Sequence, residues 1–89
     1  MKNMQKIAKI ISQINNANEA EEFLLELLTE SELCVLSKRW QILEMLNQGV
    51  KQREIVKKLK VSLCNVTRGA KIMKKQNVVA KKYLDKDDK

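Results

Sequence analysis

Between residues 52 and 68 the chain reads Gln-Arg-Glu-Ile-Val-Lys-Lys-Leu-Lys-Val-Ser-Leu-Cys-Asn-Val-Thr-Arg. Its polar members suit recognition of a nucleic acid better than bond-making chemistry. The carboxamide of Asn65 is able to pair with adenine, while Cys64 and Thr67 are small enough to allow close approach to base edges. Gln52 and Arg53 stand where a helix would begin, and free backbone amides there favour a phosphate. Lys57, Lys58, Lys60, Lys74 and Lys75 add salt-sensitive attraction to a phosphate backbone. The DNA-facing set expected from these positions is Gln52, Arg53, Leu63, Cys64, Asn65, Thr67, Lys71 and Lys74.

Catalytic alternatives find little support. The chain has no histidine, and its two cysteines, Cys34 and Cys64, stand at no metal-ligand spacing. Imidazole acid–base chemistry and the common zinc sites are therefore excluded. No activated nucleophile and no glycine-rich phosphate loop is present. The protein is not expected to be an enzyme, and no catalytic residue, metal site or cofactor is assigned. The cysteines are read as reduced, small apolar residues of a cytoplasmic chain.

Such a recognition surface must be carried by helices. Ile55, Val56 and Leu59 give a first short helix one apolar face. Val61 is placed to plug a corner, and Ser62 to cap a second helix that buries Val66 against Ile55 and Leu59. The other face of that second helix is expected to carry Cys64, Asn65, Thr67, Arg68 and Lys71. Lys60 stands at the turn position that usually carries glycine, which carries a mild cost. The plain alternative is an ordinary helical hairpin with a basic surface.

Charge separates the two halves. Residues 1–49 carry five basic and seven acidic side chains, net −2, whereas residues 50–89 carry thirteen and four, net +9. This asymmetry points to a polyanionic partner for the second half. The lack of proline, two glycines and 33% charged residues favour helices over turn-rich sheet.

An isoleucine stripe (Ile7, Ile10, Ile11, Ile14) marks a first amphipathic helix from about Met4 to Asn15. Asn15 to Asn18 interrupt it, with Asn18 as N-cap of a second helix whose buried face is Phe23, Leu24, Leu27 and Leu28. Thr29 and Glu32 form a capping box for a long third helix ending near Gln48, with Gly49 as its terminating glycine. A brief last helix covers Val78 to Leu84, and the charged tail from Asp85 is expected to fray. With one Trp, one Tyr and one Phe in 89 residues, a monomeric core would be marginal. A second copy of the chain is the expected remedy. No apolar run is long enough to cross a bilayer.

From Leu28 onward the chain resembles the bacterial tryptophan operon repressor family. The resemblance is carried by Leu28-Thr29, Arg39, Gly49, Gln52-Arg53-Glu54-Ile55 and Val66-Thr67-Arg68-Gly69. It implies an all-α, intertwined homodimer of six-helix subunits with a helix-turn-helix reading head. The implied organisation is a dimerisation core at 1–49, the DNA-binding head at 50–76, and a short C-terminal helix and tail at 77–89. It also implies a repressor that binds a palindromic double-stranded DNA operator with L-tryptophan as corepressor.

Residue by residue, Arg39 and Arg68 match two arginines that sandwich the indole, an arrangement in which guanidinium planes stack on an aromatic ring. Thr29 supplies a hydroxyl from the other subunit, Gly69 leaves room for the ligand, and carbonyls near Glu26 to Leu28 receive the ammonium. Ile72 stands where the family usually has a serine. The turn between Gly49 and Gln52 is one residue shorter than in the best-known members, and Val56 replaces a basic residue. Two alternatives remain open at this point: a regulator of the same superfamily indifferent to tryptophan, and a helical protein-interaction module.

Overall fold

The computed structural model describes residues 2–86. Among these residues it contains six helices and no strand, as an all-α chain should. They are α1 (Lys2–Gln13), α2 (Ala17–Leu27), α3 (Glu30–Asn47), α4 (Gln52–Leu59), α5 (Leu63–Lys74) and α6 (Val79–Lys86). The chain divides into two compact units, Met1–Cys34 and Val35–Lys89.

In the first unit Ile7, Ile10 and Ile11 lie along α1 and Ile14 follows its end, with Ile7 and Ile14 half-buried and Ile10 and Ile11 exposed. The second helix is capped by Asn16 and not by Asn18. Asn16 has extended backbone, and its Oδ1 accepts the Glu19 N–H at 2.7 Å. Asn18 sits inside the first turn, two residues too late to serve. Phe23, Leu24 and Leu28 are half-buried, but Leu27 is exposed, so the expected buried face of α2 is only partly covered. A unit this small cannot enclose a side chain from all sides. The capping box forms in both directions. The Thr29 N–H donates to Glu32 Oε1 at 2.9 Å, and the Glu32 N–H donates to Thr29 Oγ1 at 3.2 Å. Two otherwise orphaned amides of α3 are thereby satisfied.

The second unit holds the core. Ile42 of α3, Ile55 of α4 and Val66 of α5 are fully buried, with Met45, Leu46, Val50, Val56, Leu59 and Val61 packed around them. Each such aliphatic side chain contributes about 1.5–3 kcal/mol on burial. Gly49 ends α3 with φ +86°. The Gly49 N–H bonds Leu46 O and the Val50 N–H bonds Met45 O, each at 3.0 Å. That paired pattern is a Schellman stop, which turns the chain into α4.

The α4–α5 connection is Lys60-Val61-Ser62. Lys60 is left-handed (φ 54°, ψ 47°), and Ser62 Oγ accepts the Asn65 N–H at 3.2 Å. At the far end Leu84 is buried, and Asn47 Nδ2 donates to Asp85 Oδ1 at 3.5 Å. Asp85 and Lys86 therefore belong to α6, which corrects the expectation of a loose tail from Asp85 onward. The remainder of that tail, 87–89, lies outside the described residues.

Gly69 is buried where α5 meets α3. A Cβ there would lie 2.9 Å from Ile42 Cγ2 and 3.3 Å from Leu46 Cδ1. Overpacking of about 1–3 kcal/mol exceeds the ~1 kcal/mol helix preference of alanine over glycine. Gly69→Ala should thus lower stability by about 1 kcal/mol net, or roughly 4–8 °C in Tm, with a larger loss for Gly69→Val. Lys60→Gly should act oppositely, raising Tm by a few degrees. Thermal unfolding followed by circular dichroism reads both, and an unchanged Tm for Gly69→Val would contradict the close crossing.

Candidate nucleic-acid interface

Two buried positions, Val66 and Gly69, fix the orientation of α5. Helical spacing then sends Leu63, Thr67 and Lys71, together with Cys64, Arg68, Ile72 and Lys75, to the other side. These seven residues line an open concavity of about 700 Å³. Leu63 is 55% exposed at the first position of the helix, where an apolar side chain has no packing role. Cys64 and Cys34 are both free thiols and both exposed.

Gln52 and Arg53 begin α4 and are exposed. The Thr67 hydroxyl donates to Gln52 Oε1 at 3.5 Å, tying the start of α4 to the polar face of α5. Lys51 occupies the N-cap of α4 without a side-chain hydrogen bond. The Glu54 N–H bonds Lys51 O at 3.0 Å, and the first amides of α4 favour negative charge. Lys57 and Lys58 close α4, and Lys71 and Lys74 lie in the last turn of α5. Cations at those ends agree with the helix dipoles.

The structure divides residues that sequence had grouped. Asn65 does not join Cys64 and Thr67; it lines a second cavity, of about 250 Å³, with Val35, Lys38, Arg39, Ile42, Lys60, Val61 and Ser62. Arg39 lies there as well, whereas Arg68 and Ile72 line the α5 concavity. Gly69 faces Ile42, Leu43 and Leu46. Thr29 belongs to the other compact unit. Lys38 and Ser62 were missed as lining residues. The signal was present in the spacing of Val35, Lys38, Arg39 and Ile42, which recur every three or four residues along one side of α3.

Among the described residues no group of His, Cys, Asp and Glu is arranged to hold a metal ion. No helix among them is long and apolar enough to cross a membrane.

A family model described as Trp repressor protein matches residues 2–88. Trp operon repressor homologs from Xylella fastidiosa strains M23, Temecula1 and 9a5c are each 34% identical over 75 residues, covering 83% of this chain and 82% of the relative. No solved structure matches the chain. With the match running from the first residues of α1 past the end of α6, the chain belongs to the Trp repressor protein family, whose members are transcription regulators and not enzymes.

Proposed function

We propose that this protein is a cytoplasmic, sequence-specific DNA-binding repressor that acts as a homodimer on a palindromic operator, with L-tryptophan as corepressor. The observation that carries the DNA half is the outward face of α5. Leu63, Cys64, Thr67, Arg68 and Lys71 share one side of a helix whose opposite side is locked into the core. A short helix so presented, beside a second helix across a three-residue turn, has the form of a reading head for the major groove. Leu63 offers an apolar contact to a thymine methyl, and Thr67 and Lys71 offer polar contacts to base edges and backbone. Gln52, Arg53 and Lys74 bind flanking phosphates.

The dimer is supported by apolar surface that one chain leaves in water. Met4, Ile10, Ile11, Leu25, Leu27, Val35 and Leu36 are all exposed. Such exposed apolar residues mark association surfaces on each unit, and a symmetric second copy would place two reading heads on a palindrome. In this scheme residues 1–49 form the dimerisation core, 50–76 the reading head and 77–89 the closing helix and tail. Thr29, Arg39, Arg68, Gly69 and Ile72 are the corepressor positions that the family pattern proposes.

A second reading keeps the DNA head and drops tryptophan. It is favoured by Ile72 and by the side chain of Ile42, which already fills the space beside Gly69.

Selection of operators from a random duplex pool, run with and without L-tryptophan, tests both. A palindromic site enriched only with L-tryptophan is the expected outcome. The same site enriched equally in both arms would transfer the case to the second reading. Failure to enrich any duplex would end the DNA proposal altogether. Lys74→Ala should weaken specific and random duplexes by the same factor and flatten the salt dependence by about one phosphate contact. Leu63→Ala should instead narrow the gap between them by up to about tenfold per half-site. Fluorescence anisotropy over a salt series separates the two effects.

A further inference from the structure

A threonine hydroxyl carries one proton and two lone pairs, so what it shows to a base depends on where the proton goes. Inside a helix that proton commonly returns to the carbonyl four residues back. In α5 the Thr67 hydroxyl crosses to α4 and donates to Gln52 Oε1 at 3.5 Å. Thr67 is half-buried and lines the outward concavity of α5 with Leu63, Cys64, Arg68 and Lys71. With its proton committed to α4, the hydroxyl offers that concavity lone pairs alone. The place of Gln52 explains which end of its carboxamide meets Thr67. It is the first residue of α4, where the helix dipole favours an anion. A phosphate there attracts the NH₂ end and repels the oxygen, which leaves Oε1 for the threonine.

We infer that Gln52 fixes Thr67 as a hydrogen-bond acceptor toward the major groove, so that Thr67 reads the amino group of adenine or cytosine and not the keto oxygen of guanine or thymine. The inference rests on the DNA-binding reading above and names the base group that this position recognises. In the major groove those amino groups are donors, whereas guanine O6 and thymine O4 are acceptors. An unrestrained threonine turns its hydroxyl to meet either kind and discriminates poorly. Packing at Val66 and Gly69 aims the side chain, and Gln52 is a positioning residue that sets only the proton. One carboxamide thereby joins a backbone contact to a base contact, with Nε2 on the phosphate and Oε1 on the hydroxyl.

Deletion of single base groups from the operator tests this. Comparing the sites selected by the wild type and by Thr67→Val locates the base pair that Thr67 meets. Duplexes are then made without the amino group of that pair (purine for adenine, 2-pyrimidinone for cytosine). A second set lacks the keto oxygen (2-aminopurine for guanine, 5-methyl-2-pyrimidinone for thymine). Fluorescence anisotropy compares wild type, Thr67→Val, Gln52→Lys and Gln52→Glu, each verified as helical by circular dichroism. Thr67→Val is the reference that subtracts what an analogue does to the duplex itself.

Loss of the amino group should weaken the wild type by about three- to tenfold relative to that reference. Loss of the keto oxygen should cost nothing beyond it. Gln52→Lys gives Thr67 a donor in place of an acceptor, so it should lose the amino penalty while its added charge tightens binding to every duplex. Gln52→Glu keeps the acceptor, so it should retain the penalty while binding every duplex more weakly. A keto penalty in place of the amino penalty would overturn the inference. So would a Gln52→Lys protein that keeps the amino penalty, or a Thr67→Val protein that selects the wild-type site unchanged at every position. In all three cases the DNA reading stands. A wild type that enriches no duplex would remove that reading and this inference together.

Discussion

What α5 offers to a partner follows from how closely it lies against α3. Gly69 brings the two backbones near enough that the Ile42 and Leu46 side chains occupy the place of its missing Cβ. Val66, three residues earlier on the same side, closes onto Ile42 and Ile55. With two anchor points one helical turn apart, α5 cannot rotate about its axis without opening the core. Its opposite side is therefore held outward by packing, and no separate interaction is needed to aim Leu63, Thr67 or Lys71.

Local devices then place the ends of the helices so that this packing is reached. The Schellman stop at Gly49 ends α3, and the Ser62 cap begins α5. The left-handed Lys60 between α4 and α5 costs about 1–2 kcal/mol relative to an ordinary backbone. A fully buried side chain contributes as much or more, so the turn is tolerated because Ile55, Val66 and their neighbours meet across it. A lysine there has a further consequence, since it lends its charge to the cavity that also holds Lys38 and Arg39.

Much of the fold was legible residue by residue. The capping box at Thr29 and Glu32, the glycine stop at 49, the Ser62 cap and the strained Lys60 are local features, decided by groups within four or five residues of one another. The misplaced cap at Asn18 shows the limit of such rules, because Asn16 and Asn18 are both good caps and only the geometry of the interruption chooses between them. The burial expected along α2 was legible only in part, since apolar spacing reports which side of a helix seeks cover and not whether one chain supplies it.

The candidate site was less legible. Composition and spacing by themselves determined that the second half is cationic, that two short helices join at Lys60 to Ser62, and that Val66 faces inward. Those properties depend on nearest neighbours and on the 3.6-residue period. Tertiary structure alone decided that Asn65 shares a cavity with Arg39, that Arg68 and Ile72 line another, and that the space beside Gly69 is filled from α3. On a helical wheel Asn65 is a border residue, equally able to join the polar face or the edge beside it. The position of α3, more than twenty residues away in sequence, assigns it to that edge.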